Sequence, residues 1–223
     1  MKPVVEILMF STHGRTSREK NLDEAVRLVS EVGGALPGHY GLEVGKTDDG
    51  CIIQVWKSLL HHQELLDHPN FTGVRDELSA CFSAEPSVSH IYYDTESTAL
   101  DQPVLHVLRA ETKASSEEGR QYLGDGVKEL INRLDRRGFG GQTLESPDVY
   151  YVLIGAATVE LRNSHEFSAQ AATDLQKYAT VEHKIVWLKP AMASPVPHPA
   201  LGWDSRGTAS IPFPGARVPL TSQ

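Results

Sequence analysis

The sequence predicts an α+β protein made of two tandem copies of one strand-helix-strand-strand-helix-strand unit, followed by an extended tail. Three observations carry this reading. A strand pattern near the start, Pro3-Val4-Val5-Glu6-Ile7-Leu8, returns as Pro103-Val104-Leu105-His106-Val107-Leu108. Each copy leads into the same succession of helical and strand periods, and each half closes on a related segment, Ser87-Val88-Ser89-His90 and Thr180-Val181-Glu182-His183. From Pro190 onward the periods stop, and this last stretch holds seven of the 13 prolines.

In the first half, Val4 to Leu8 alternates as a strand. Asn21 or Asp23 then caps a helix whose Leu22, Ala25, Val26, Leu28, Val29 and Val32 keep helical spacing until Gly33-Gly34 stops it. Gly41 to Lys46 and Cys51 to Lys57 read as paired strands, with Thr47-Asp48-Asp49-Gly50 as the turn because Asp-Gly accepts positive φ. A helix over Leu59 to Phe82 breaks near Pro69, and the strand at Ser87 closes the unit. In the second half, Ser115 or Ser116 opens a helix through Tyr122, Val127, Leu130, Ile131 and Leu134. Gly138 to Glu145 is a weak, glycine-rich strand, Asp148 to Ala156 a strong one, and a helix from Glu160 to Tyr178 precedes the last strand.

That order is the ferredoxin-like arrangement, a four-stranded antiparallel sheet with helices on one face. The other face is apolar and cannot stay wet, so two such sheets face each other around a barrel-like core. The expected boundaries are 1–94 for the first repeat, 103–189 for the second and 190–223 for the tail. The tail is expected to dock through Trp203 and Phe213.

Composition narrows the classes of function. The 223 residues are 40% hydrophobic and 22% charged, a globular balance, and the formal charge of −8 argues against a general grip on nucleic acid. No apolar run is long enough for a membrane span, and Met1 to Phe10 carries Glu6 where a signal peptide would be apolar, so a cytoplasmic protein is expected. Cys51 and Cys81 lack metal or redox spacing and read as small core residues.

Trp56-Lys57-Ser58-Leu59-Leu60-His61-His62, with His68-Pro69 in the following helix, carries Trp, one residue, Ser, three residues, His after the third strand. With the repeated topology, this resembles the dimeric α+β barrel superfamily, in its antibiotic-biosynthesis-monooxygenase-like branch and in the tandem form seen in fungal secondary metabolism. Gly155-Ala156-Ala157-Thr158-Val159-Glu160-Leu161 lacks both the tryptophan and the histidine. The resemblance therefore implies that the first half keeps the site and the second serves as its partner. It also implies an apolar small-molecule ligand and a role for His62 at the mouth of the site.

The expected catalytic residues are His90, Tyr92 and His183. His90 and His183 hold equivalent places on the closing strands, and neutral imidazole is the natural base near pH 7. Alternation puts His90 on one face with Tyr92, whose hydroxyl is the candidate acid alongside His183. Trp56, Phe71, Tyr92 and Trp187 form a candidate aromatic wall. His106 replaces Glu6 in the aligned strand, so the two mark matching polar positions facing either outward or into the cavity. Arg109, on the opposite face, offers a cation for a carboxylate or enolate. Strand parity leaves open which face lines a cavity.

No cofactor or metal is expected. His61 and His62 diverge by about 100° on a helix, His68 lies almost two turns on, and no acid or thiol completes the set. There is no haem-attachment motif, Gly138-Phe139-Gly140-Gly141 is not a phosphate loop, and no nucleophile elbow exists. The leading expectation is a cofactor-independent enzyme of natural-product biosynthesis that uses His90 as base for cyclisation, dehydration or isomerisation of a polyketide-like or aromatic compound. The first alternative is a cofactor-free monooxygenase of a phenol or anthrone. The second is a non-catalytic binding or stress-response barrel. A homodimer through the barrel exterior or the tail is a further expectation.

Overall fold

Alternating side chains make Val4–Ser11 a strand, β1, at the centre of the first of two antiparallel sheets. The computed structural model describes residues 2–12, 18–30, 35–46, 48–69, 71–113, 115–158 and 162–191, and the expectations for Gly33-Gly34, Trp203, Phe213 and the tail from 192 lie outside these. After β1 come α1 (Arg18–Ser30), β2 (His39–Leu42), β3 (Asp49–Trp56), α2 (Leu59–Leu66), α3 (Phe71–Cys81) and β4 (Ser87–Tyr92). The second half repeats the order with β5 (Val104–Thr112), α4 (Glu117–Leu134), β6 (Gly138–Gln142), β7 (Val149–Ala156), α5 (Arg162–Leu175) and β8 (Ala179–Trp187). A two-residue strand, β9 (Lys189–Pro190), follows.

The sheets run β4-β1-β3-β2-β9 and β8-β5-β7-β6, so the two halves share one strand order. Their registers match as well: Val4 pairs with Trp56 and Tyr92, and Val104 with Ala156 and Trp187. Among the described residues, no helix is long and apolar enough to cross a membrane.

Local signals place most of the elements. Ser116 caps α4 by accepting from the Gly119 N–H, Ser58 caps α2 by accepting from His61 N–H, and Pro69 separates α2 from α3. The expected Asp49-Gly50 turn is not one. Both residues lie in β3, and the chain reverses around Val44 and Gly45, where Gly45 takes a φ of 81°. Gly50 serves close approach instead, since a Cβ there would sit 2.6 Å from Phe10 Cζ and 2.5 Å from the Gly41 carbonyl oxygen.

Odd-numbered residues of β1 and β5 decide the layers. Val5 and Ile7 of the first sheet meet Leu105, Val107, Tyr151 and Leu153 of the second in one shared apolar core, which also takes in Cys51. Burial raises the Cys51 thiol to about 12, so it stays protonated and behaves as a small core group. Cys81 is equally buried, on the helix-covered side.

The sheets also touch at their edges. The Glu43–Val186 bridge and the Val44 N–H donating to the Ile185 carbonyl (2.7 Å) tie β2 to β8. β9 returns to pair with β2 through Tyr40 and Lys189, so the residues where the tail was expected to begin extend the first sheet. At the opposite edge, Leu144 N–H donates to the His90 carbonyl at 2.9 Å.

Candidate functional site

The even-numbered residues of β1 face the helices, and one row of them is polar. Glu6 on β1 stands directly opposite Gln54 on β3 and His90 on β4. Apolar side chains do not close over such a row, and the helix-side core of the first half divides into two clusters, one around Trp56, Val29 and Leu65, the other around Phe10, Ile52 and Cys81. Between them lies a cavity of about 350 Å³. Leu8, Ile52, Leu65, Phe71 and Leu78 give it apolar walls, and Glu6, Gln54, His62 and His90 give it one polar side. Ligand cavities of this volume and character are common in proteins that hold small organic molecules.

The Trp-x-Ser-x₃-His spacing has a structural logic. Trp56 ends β3 fully buried, and its indole N–H donates to Glu6 Oε2 at 2.9 Å. Ser58 then starts α2, its hydroxyl engaged by His61 Nδ1 at 2.8 Å. One residue further, His62 turns inward onto the Trp56 ring, with centroids 4.9 Å apart, and brings Nε2 to 3.5 Å from Glu6 Oε2. Burial holds the His62 pKa below the ordinary histidine range, and the Glu6 charge only partly offsets this, so His62 stays neutral at pH 7.

His90 lies against His62, with ring centroids 4.7 Å apart. Its other neighbour comes from the second half. Glu145, in the turn between β6 and β7, places one carboxylate oxygen on His90 Nδ1 at 2.5 Å and the other on the His90 backbone N–H at 3.0 Å. Partial burial pushes the Glu145 carboxyl up, but the backbone and ring hydrogen bonds from His90 pull it further down, to a net value below the ordinary carboxylate range. An ionised carboxylate only accepts, so His90 Nδ1 carries a proton and donates to it. Its Nε2 is buried and has no hydrogen-bond partner among the described residues.

The structure separates the other residues expected to act. In register, His90 matches Ile185, whereas His183 pairs with Leu108 and so corresponds to Val88. His90 and His183 are therefore not equivalent, because β8 is longer than β4 and the similarity of their ends misaligned them by two residues. Neither faces the space between the sheets; both point to the helix-covered faces, since the inter-sheet space is filled by the opposite parity.

His106 does match Glu6 and is fully buried, with Nδ1 3.1 Å from His183 Nε2. Tyr92 shares the parity of His90 but lies 47% exposed at the strand end, with the Lys2 ammonium 4.3 Å from its ring centre. Trp187 is 48% exposed on the second sheet, so Trp56 and Phe71 line the cavity without Tyr92 or Trp187. Arg109 stands on the inter-sheet face and donates to Glu111 at 2.9 Å. Glu145 escaped prediction, and Glu6, expected to face either outward or into a cavity, lines one. A turn in a weak hairpin carries no local sign of a partner 55 residues away, whereas Glu6 was visible as a charge inside an apolar strand.

No protein-family model matches the chain, and no curated protein matches it in sequence. Solved structures do resemble it. A candidate monooxygenase from Lactobacillus acidophilus NCFM has a TM-score of 0.58 at 12% identity, over 86% of this chain and 95% of its own. A candidate monooxygenase from Fusobacterium nucleatum reaches 0.61 at 7%, covering 85% and 94%. An anthrone oxidase-like protein reaches 0.59 at 10%, covering 88% and 98%. At these identities the likeness is one of fold, and it extends over both halves of the chain.

Proposed function

We propose that the chain is an intrachain dimeric α+β barrel whose first half is a cofactor-independent oxygenase site for an electron-rich phenol or anthrone. The observation that carries this reading is the buried, partnerless Nε2 of His90, held as a base by Glu145 and facing an apolar cavity. Support for oxygenation over the cyclisation, dehydration or isomerisation expected from sequence comes from the solved structures of similar fold, named as candidate monooxygenases and an anthrone oxidase-like protein.

In this reading the ring system lies in the cavity against Trp56 and Phe71, and a ring hydroxyl donates to the Glu6 carboxylate. His90 Nε2 removes the acidic C–H proton, and the resulting imidazolium is paired with Glu145 on one side and the ring anion on the other. The anion passes an electron to dioxygen, and the radical pair combines to a peroxide anion at the carbon that lost the proton, which takes the proton from His90 to become the hydroperoxide. His90 then removes the second C–H proton as the O–O bond breaks, and the leaving hydroxide takes that proton, so the ketone forms with loss of water. One dioxygen thus supplies the oxygen of the new carbonyl and that of one water, and the methylene carbon supplies the four electrons.

Oxygen uptake by the purified full chain with dithranol, a dihydroxyanthrone, tests the reading after subtraction of the uncatalysed rate. Uptake above background that falls by about 10² or more in His90→Ala is the expected result. Product formation without oxygen overturns oxygenation in favour of proton-transfer chemistry alone, and a change below about threefold returns His90 to a structural role.

A further inference from the structure

We infer that Glu6, His62 and His90 form a site for a divalent transition-metal ion of the Zn²⁺ type, and that an ion bound there excludes the aromatic substrate. One donor atom from each side chain lies within 4.8 Å of the other two, and the Glu6–His62 pair is at 3.5 Å. A tetrahedral zinc ion with bonds of about 2.0–2.1 Å holds its donors roughly 3.3 Å apart, so side-chain movement closes the set without moving a strand. Two imidazoles and one carboxylate are an established donor set for such ions, and the fourth position here opens into the cavity.

The surroundings of the three residues suit the same purpose. A ligating imidazole donates its second N–H to a carboxylate or carbonyl, which fixes its tautomer and orientation. Glu145 does this for His90, leaving Nε2 as the donor atom, buried and without a hydrogen-bond partner among the described residues. The indole N–H of Trp56 holds the Glu6 carboxylate in place. The donors come from β1, α2 and β4, so no local spacing announces them, and the His61-His62-His68 grouping contributes only His62. The exclusion of substrate rests on the proposed roles of Glu6 and His90, because a carboxylate bound to a metal no longer accepts the ring hydroxyl and an Nε2 bound to it cannot accept a proton.

The full chain, stripped of metal with chelator, is titrated with Zn²⁺ by calorimetry and with Co²⁺ by visible absorption. One ion per chain with an intense tetrahedral cobalt spectrum is expected. Glu6→Gln and the double variant His62→Asn/His90→Asn should each weaken binding by at least about a hundredfold, and Glu145→Gln by about tenfold. Dithranol-dependent oxygen uptake should fall in step with zinc occupancy. Binding by the double variant equal to that of the unaltered chain overturns the inference. If the variants do not fold, X-ray absorption of the zinc-loaded unaltered chain decides it: two imidazoles on the ion support the site, and any other shell overturns it. Full oxygen uptake with zinc saturated overturns the exclusion and leaves the oxygenase reading intact. Uptake that appears only when Fe²⁺ is added leaves the site standing and overturns the cofactor-independent reading.

Discussion

The two halves share strand order and register, and among the described residues the cavity lined by a polar row lies in the first. The difference comes down to a few matched positions. Across the first sheet the row reads Glu6, Gln54 and His90; across the second, in the same register, it reads His106, Ile154 and Ile185. Ile154 lets the helix-side core of the second half run as one cluster, with Leu108, Leu123, Leu130 and Leu175 packed together. Glu6 and His90 interrupt the corresponding core in the first half. Ala156 stands where Trp56 holds Glu6. Among the described residues the helix-side core is thus one cluster in the second half and two in the first, and the second half contributes Glu145 to the first.

Exchanging matched residues tests this contrast. The largest effect is expected from Trp56→Ala, which copies Ala156 into the first half. Removing a fully buried indole costs about 3–5 kcal/mol and strips Glu6 of its donor, so urea unfolding should show a much lower midpoint. A cost below about 1 kcal/mol would mean that the Trp56 ring contributes little to the packing of the first half.

His90→Ile, which copies Ile185, should lower kcat by about 10² while leaving the unfolding midpoint nearly unchanged. The substitution removes a buried nitrogen that has no partner, and this offsets the loss of the Glu145 bond, whose carboxylate is 43% exposed and can turn to water. Activity retained in this variant would separate the cavity from the chemistry.

Glu145→Gln should reduce kcat by roughly tenfold with KM little changed, because a carboxamide can donate to Nδ1 and move the ring proton to Nε2. Nitrogen-15 spectra of the His90 ring should report that change of tautomer. A purely structural role for Glu145 would lower stability and leave the tautomer alone. The smallest effect belongs to His183→Ala. This residue pairs with His106 on the second sheet, away from the cavity, and turnover should stay within about threefold.

The repeated unit, its order of strands and helices and the placing of Trp56, Ser58 and His62 were legible in the amino-acid sequence, because they rest on local causes. Alternation sets a strand, a serine caps a helix, Pro69 breaks one, and the spacing from Trp56 to His62 spans a strand end and one helical turn. Local similarity also misled. The shared ending of Ser87–His90 and Thr180–His183 suggested matching histidines, and only the inter-strand register, fixed by hydrogen bonds to β1 and β5, showed that His90 faces Glu6 and His183 faces Leu108. Parity could group His90 with Val88 and Tyr92 but could not say which way the group pointed. Both faces of each sheet are covered by apolar layers, so the answer waited on which parity packs against the other sheet. Glu145 depended entirely on the meeting of the two halves: its oxygens reach His90 because two sheets of one chain touch edge to edge there, and no pattern within either half encodes that contact.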